Sequence, residues 1–105
     1  MEKRYKIVVY IPESHADRLR DAMANAGAGT IGNYSHCTFS VKGVGRFRPG
    51  VGAHPTIGAV GSLEEVSEER IETVCTADIL QEVLRAIREA HPYEEPATDV
   101  YLLET

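Results

Sequence analysis

The spacing of apolar residues alternates along the chain between the period of a strand and that of a helix, and this pattern constrains the fold most strongly. The run YKIVVYI (5–11) is rich in β-branched and aromatic residues, as buried strands are. Apolar residues at helical spacing follow, and Gly27 supplies a helix end. The predicted elements are, in chain order, strand 5–11, helix 16–26, strands 35–43 and 69–76, helix 77–91 and strand 98–104. This β-α-β-β-α-β order predicts an α+β, ferredoxin-like fold, in which two helices lie on one face of a four-stranded antiparallel sheet.

Length and composition limit the class of protein. With 105 residues, the chain is expected to form one domain spanning 1–105, large enough for a core without metal or disulfide staples. The net charge of −5 argues against nucleic acid as a partner, because proteins that bind the phosphate backbone carry a concentrated basic face. The two cysteines lack C-x-x-C spacing, and the sequence has no secretory leader pattern and no apolar stretch of membrane-spanning length. We therefore expect a cytoplasmic protein without a membrane partner.

Gly27, Gly29 and Gly32 reproduce the G-x-G-x-x-G spacing of dinucleotide-binding folds. In those folds the glycines join a strand to a following helix, whose N-terminus faces the pyrophosphate. Here the predicted order is reversed, with a helix before Gly27 and a strand after the motif. The motif is therefore interpreted as a helix end followed by a turn, not as a dinucleotide site.

The run GNYSHC places several potential ligand-binding side chains close together. Asn33, Tyr34 and His36 are candidates for ligand binding, and His36 with Cys37 could hold a metal ion. The alternative is that Cys37 faces the core, in alternation with Phe39, and that His36 is a solvated strand residue. The alternation favours this second interpretation.

A long Gly- and Pro-rich segment, GVGRFRPGVGAHPTIG (43–58), is predicted to be a loop. Loops of this length inside a compact domain are more often functional or mobile than merely connecting. Arg46 and Arg48 could grip a carboxylate or phosphate, with Phe47 as an apolar or stacking surface. His54 is a further candidate for the same site. A subunit contact, with the arginines paired to acids of a neighbour, is an equal alternative.

The segment HPYEEPATDVY (91–101) joins the second helix to the last strand. His91 ends the helix, and the acidic pair Glu94 and Glu95 could join it around a divalent cation. The alternative, slightly favoured, is a rigid connector with solvated acids. The candidate metal ligands are therefore His36, Cys37, His54, His91 and Glu94.

Together, the runs GAGTIGNYSHCTF, GVGRFRPGVGAHPTIG and HPYEEPATDVY resemble the inserted domain of the Nif-three-like proteins, also called GTP cyclohydrolase type 2 homologues. The resemblance extends from Lys6 to Leu103. In that family the insert is similar in fold to PII signalling proteins and to CutA, which are typically trimeric. The resemblance thus implies a PII/CutA-like fold and a homotrimer. The dinuclear metal site of full-length members lies in a flanking domain that has no counterpart among these residues, so hydrolase activity is not expected to carry over.

The resemblance does imply a regulatory or ligand-binding module of PII-like type, in which segment 43–58 stands roughly where PII proteins have their mobile loop. Its ligand is unknown. Besides other copies of the chain, the expected partner is a small anionic metabolite or a protein. A divalent-metal-binding protein of CutA-like type is the alternative function. An enzyme is less favoured, because no nucleophile–base pair is visible, and no catalytic residue is predicted.

Overall fold

A computed structural model describes residues 2–105 and contains the predicted succession of elements. They are β1 (Arg4–Pro12), α1 (Ala16–Asn25), β2 (Phe39–Phe47), β3 (Glu64–Thr76), α2 (Leu80–Ala90) and β4 (Thr98–Leu103). A short 3-10 turn leads into each helix. Within the described residues, neither helix has the length and apolarity needed to cross a membrane. The prediction of an α+β, ferredoxin-like fold is confirmed.

The sheet has the strand order β2-β3-β1-β4, and every neighbouring pair is antiparallel. Each helix therefore joins two strands that are not neighbours, and both crossovers lie on the same face. Alternate residues of β1 and β3 point to this face and meet the apolar sides of the helices. The resulting core contains, among others, Ile7, Val9, Ile11, Leu19, Met23, Ile71, Cys75, Val83 and Ile87. The opposite side of the sheet, which no helix covers, is called here the open face.

The second strand differs from its prediction in position and in the face that its apolar residues occupy. It begins at Phe39 instead of residue 35, because the chain reverses at His36, whose φ is 61°, and the Cys37 N–H donates to the Gly29 carbonyl. Phe39 is paired with Glu72 on the open face and is 66% exposed. The expected alternation is present, but the prediction that it points into the core is wrong. Cys37 itself is half-buried in the loop before the strand.

The third strand is longer than predicted and, with β2, extends beyond the helices. It begins at Glu64, and its first residues pair only with β2, because β1 pairs with β3 no further than Glu68. Residues 44–67, which include the end of β2, the loop 48–63 and the start of β3, are called here the arm. The arm gives the molecule a long dimension of 47 Å against 23 and 22 Å in the others. The predicted loop 43–58 is thus strand up to Phe47.

The glycine motif lies where the sequence interpretation put it. Gly27, with φ at 104°, follows the end of α1, and Gly29 and Gly32 also have positive φ. The next regular element after this turn is the strand β2, so the motif does not lead into a helix. The dinucleotide interpretation is excluded at this motif, because its phosphate-binding geometry requires a helix to begin there.

Candidate functional site

A cleft of about 520 Å³ lies on the open face where the arm leaves the sheet. Its walls come from the end of β2, the loop 48–63 and the connector between α2 and β4. The walls are largely apolar, through residues that include Phe47, Pro49, Pro55 and Ile57. Segment 43–58 and the HPYEEP run, which the sequence singled out separately, therefore form two sides of one concave site.

A hydrogen-bonded pair of side chains from β3 and the connector forms the floor of the cleft. The Tyr93 hydroxyl donates to Oε2 of Glu68 at 2.8 Å. Glu68 is only 8% exposed, although it projects from the open face of the sheet. Burial, reinforced by the adjacent Glu68 carboxylate, raises the pKa of Tyr93 well above its usual range, so the hydroxyl keeps its proton. The Phe47 ring meets Tyr93 edge to face, with centroids 5.6 Å apart.

His91 stabilises the connector that carries Tyr93. It is buried at the end of α2, and its Nε2 lies 2.7 Å from the Tyr10 carbonyl oxygen. Its Nδ1 accepts the backbone N–H of Tyr93 at 3.1 Å, so the ring proton is on Nε2 and the imidazole is neutral. Burial lowers the pKa of His91 because desolvation disfavours the imidazolium. Both ring nitrogens are therefore used in fixing the connector to β1.

Two of the predicted cationic residues line the cleft, but their environments differ. Nε of Arg46 donates to Oε1 of Glu65, its partner across the hairpin, at 3.0 Å. Both side chains of this pair are more than half exposed, so the pair is weak and screened by solvent. Arg48 is exposed at the end of β2, and within the described part of the chain no carboxylate lies within ion-pair distance of it.

The loop of the arm is tied to the connector by hydrogen bonds. The backbone N–H of His54 donates to Oε1 of Glu94 at 3.2 Å, and the Thr56 hydroxyl donates to the Pro92 carbonyl at 2.7 Å. These contacts set the width of the cleft, because they join its two outer walls. His54 is exposed beside the cleft, between two residues that line it.

The remaining predicted ligand residues lie at the other end of β3. The loop with Asn33, Tyr34 and His36 is held there by the Thr73 hydroxyl, which donates to the Cys37 carbonyl at 2.9 Å. Thr73 is eight positions from the part of β3 opposite Arg46, a separation of about 27 Å along a strand. Within one subunit, the sequence-predicted ligand set is thus divided into two groups. The structure brings together Arg46, Phe47, Arg48 and His54 and leaves Asn33, Tyr34 and His36 apart from them.

The predicted metal ligands are also not gathered. His36 and Cys37 are at the far end of the sheet, Glu94 lines the cleft with His54 beside it, and His91 is buried with both nitrogens occupied. Nowhere between residues 2 and 105 do three or more His, Cys, Asp or Glu side chains converge in a way that could hold a metal ion. Metal binding by these five residues stays a prediction.

The polar lining residues Glu68 and Tyr93, together with Tyr10 and Gly45 beside them, were not among the predicted site residues. Tyr93 lies in the HPYEEP run, and its aromatic ring between two prolines was a usable signal. Glu68 lies in the polar run SEER and looked like an ordinary solvated acid. Its burial depends on the pairing of the first part of β3 with β2, whereas the sequence pattern predicted that β3 begins only at residue 69.

Comparison with known proteins shows that the chain is similar to one part of several longer proteins. No protein-family model matches it. It is 51% identical over 102 residues to the "GTP cyclohydrolase 1 type 2 homolog" of Halalkalibacterium halodurans, which covers 97% of this chain and 27% of that protein. The homologue of the same description from Mycobacterium tuberculosis is 51% identical over 98 residues, covering 93% of this chain and 26% of the relative. The chain thus spans about a quarter of the length of these relatives.

Solved structures give the same relationship in three dimensions. A Bacillus cereus protein related to NIF3 superposes with a TM-score of 0.86 at 49% identity, over 99% of this chain and 26% of that one. CutA from Archaeoglobus fulgidus, a "periplasmic divalent cation tolerance protein", superposes with a TM-score of 0.69 at 15% identity, over 97% and 85% of the two chains. The second likeness concerns the fold alone. The chain therefore matches, at about half identity, a region of CutA-like fold that makes up about a quarter of these longer Nif3-related proteins.

Proposed function

We propose that the chain is a regulatory or ligand-binding module of PII-like type, and that its ligand site is the cleft at the root of the arm. The observation that carries this proposal is Arg48, an exposed guanidinium without an ion-pair partner among residues 2–105, at the rim of a cleft with apolar and aromatic walls. Small-molecule sites typically combine apolar walls with a few convergent polar groups. Arg48 would hold a carboxylate or phosphate of the ligand, and Phe47 with Tyr93 would contact its apolar part.

We further propose that the module acts as a homotrimer, assembled through the open face of the sheet. This face carries large exposed apolar side chains, among them Phe39 (66% exposed), Val41 (49%) and Tyr101 (52%). An apolar patch on a sheet face that no helix covers is a common subunit contact. Association of this kind would also let the Asn33–His36 loop of one subunit approach the cleft of a neighbour, and so complete the ligand set that one subunit leaves divided.

We do not extend the proposal to cyclohydrolase activity. The chain matches only a quarter of the relatives that carry this description. The neutral His91 behind the cleft has both nitrogens engaged, and the Tyr93 hydroxyl on its floor keeps its proton, so neither group is placed to activate a nucleophile. These features support binding better than catalysis.

Thermal unfolding with small anions tests the ligand-binding proposal. Citrate, inorganic pyrophosphate and adenosine monophosphate are suitable probes, because each presents an anionic group that Arg48 can grip. A probe at 100 times its dissociation constant stabilises the folded state by about 2.7 kcal/mol, which is measurable as a rise in Tm. We expect at least one probe to raise the Tm of the wild type and to lose most of this effect in Arg48→Gln.

Arg88→Gln is the matched control, because Arg88 is an exposed arginine on α2, outside the cleft. This variant should respond to the probes as the wild type does. If none of the probes changes the Tm, or if both variants lose the response equally, the cleft is not the ligand site. Exposed arginines contribute little to stability, so both variants should fold.

A further inference from the structure

The carboxylate of Glu68 is only partly satisfied by the protein. Oε2 accepts the Tyr93 hydroxyl, whereas Oε1 has no hydrogen-bond partner among the described residues. Among the described residues, every side-chain nitrogen or oxygen that is fully enclosed has a hydrogen-bond partner. Oε1 is therefore not enclosed, although the residue as a whole is only 8% exposed. Glu68 lines both the cleft and a neighbouring hollow on the open face, so the free acceptor lone pair of Oε1 is presented where the two meet.

Gly45 is the residue that keeps Oε1 open. A Cβ built on Gly45 would lie 2.0 Å from Oε1 and 2.3 Å from the carboxyl carbon of Glu68. Any other residue at position 45 would push the carboxylate away from its place. Glycine inside a strand often marks such a close approach. At Gly43, two residues earlier on the same face of β2, an added Cβ would have nothing within 4 Å, so only Gly45 is needed for this contact.

The Glu68 carboxylate also lacks a cationic partner. Across residues 2–105, no Lys, Arg or His nitrogen lies within ion-pair distance of it, and the nearby His91 is neutral. A buried carboxylate without a counter-charge costs free energy unless donors compensate it, and the Tyr93 hydroxyl supplies one donor. A second donor, preferably a cation, would therefore be favoured at Oε1.

The charged residues that line the cleft support the same conclusion. Its lining contains two arginines, Arg46 and Arg48, and three glutamates, Glu68, Glu94 and Glu95. Arg46 is partly neutralised by Glu65, so Arg48 is the main free positive charge. A ligand that carried only negative charge would meet more acids than bases. A ligand with groups of both signs would match the lining.

The spacing of the two charged groups limits the size of such a ligand. Oε1 of Glu68 lies close to Gly45. Arg48 follows Gly45 by three residues, so the backbones of these two residues are at most about 10 Å apart, the length of three extended residues. The wall between them includes the Phe47 ring. The two polar groups of the ligand would thus be separated by an apolar or aromatic part of comparable length.

We infer that the cleft takes an amphoteric ligand, with a protonated amine or another N–H donor at Oε1 of Glu68 and an anionic group at Arg48. This inference rests on the proposed function, because it assigns the ligand class of the same cleft. Glu68 then selects for the donor group of the ligand. Gly45 leaves Oε1 of Glu68 accessible, and the Tyr93 hydroxyl holds Oε2 in place.

A matched pair of synthetic probes tests this selection without knowledge of the natural ligand. Octanoate presents a carboxylate on an apolar chain, and ω-aminooctanoate adds a protonated amine at the other end. Both would be titrated into isotope-labelled protein and followed by the amide resonances of Gly45 and Arg48. We expect the wild type to bind ω-aminooctanoate about tenfold more tightly than octanoate, the gain of one charge-assisted hydrogen bond.

Three variants make the result specific. Glu68→Gln should abolish the preference while keeping octanoate binding, because the amide still accepts from Tyr93. Gly45→Ala should also abolish it, because the added methyl displaces Oε1, whereas Gly43→Ala should keep it. If the wild type binds octanoate in the cleft without preferring the amine, the inference is wrong and the proposed function survives. If neither probe shifts the Gly45 and Arg48 resonances, both are wrong. A preference that persists in Glu68→Gln overturns the role of Glu68.

Discussion

The arm continues strands β2 and β3 of the sheet, but the arm and the helix-covered part of the sheet are held together differently. In the covered part, side chains such as Ile7, Leu19 and Ile71 are entirely buried between sheet and helices. In the arm, the large apolar residues Val44 and Leu63 are 55% and 59% exposed. Stability therefore comes from apolar burial in the first region, whereas the arm depends on strand pairing and a few polar ties to the connector.

This difference explains why the candidate site lies at the root of the arm. A core closes around its apolar side chains and leaves no room for a ligand or for unpaired charge. The arm leaves the sheet beyond the last residue of β1, and the gap between it and the connector forms the cleft. Glu68 and Tyr93 lie at this boundary, so they take part both in the fold and in the proposed site.

The comparison predicts that one substitution will have very different effects in the two regions. Leu19→Ala removes a fully buried side chain from the core, and we expect it to lower the free energy of unfolding by about 2–5 kcal/mol. Leu63→Ala makes the same change at an exposed position of the arm, with an expected effect within about 0.5 kcal/mol. Urea unfolding measures both. Similar losses in the two variants would mean that the arm is packed as tightly as the core.

A smaller effect is expected at the boundary between the regions. Tyr93→Phe removes the hydroxyl that donates to Glu68 and leaves a buried carboxylate with fewer donors, which we expect to cost about 1–3 kcal/mol. Tyr34→Phe is the control, because Tyr34 is 76% exposed and lies at the other end of the sheet. Urea unfolding should separate the two variants. Equal stability of both would show that the Tyr93–Glu68 hydrogen bond does not hold the connector.

The smallest expected effect is a pH dependence that arises at the same boundary. Burial lowers the pKa of His91 from its ordinary value of 6.5, so the unfolded chain binds a proton more readily than the folded one. The stability that the neutral imidazole contributes is complete above that value and is lost as the pH falls through the lowered pKa. The urea midpoint should therefore fall more in the wild type than in His91→Gln between about pH 7.5 and 5. His54→Gln, at an exposed position, should follow the wild type, and parallel curves for all three proteins would contradict the assignment.

The elements of the fold were predictable because each has a clear local signal. The run 5–11 and the amphipathic helices encode β1, α1 and α2 within a few residues. The limits of β2 and β3 were not predictable, because they depend on their pairing with each other. Gly45 was predicted to lie in a loop, yet it is a strand residue because it pairs with Val66 of β3. Likewise, alternation placed Phe39 on one face but could not show which face the helices cover.

The site was predictable only where its residues are unusual in sequence. The Arg-Phe-Arg run and the HPYEEP run stand out, and the structure places them on one cleft. Glu68 does not stand out, because its burial follows from the neighbouring Gly45 and from Tyr93, which is far from it in the chain. Asn33, Tyr34 and His36 are equally distinctive in sequence but lie at the opposite end of β3, so their part in the site stays a prediction.

Native mass spectrometry of the untagged protein, gently purified as wild type and as Arg48→Gln, tests the central claim most directly, because one spectrum reports both subunit number and retained ligand. We predict a wild-type trimer with an added small-molecule mass, and a trimer of Arg48→Gln without it. The added mass itself would distinguish a metal ion from an organic ligand. A bare wild-type monomer, or the same added mass on both proteins, would contradict the account of a trimeric module with its ligand site at the root of the arm.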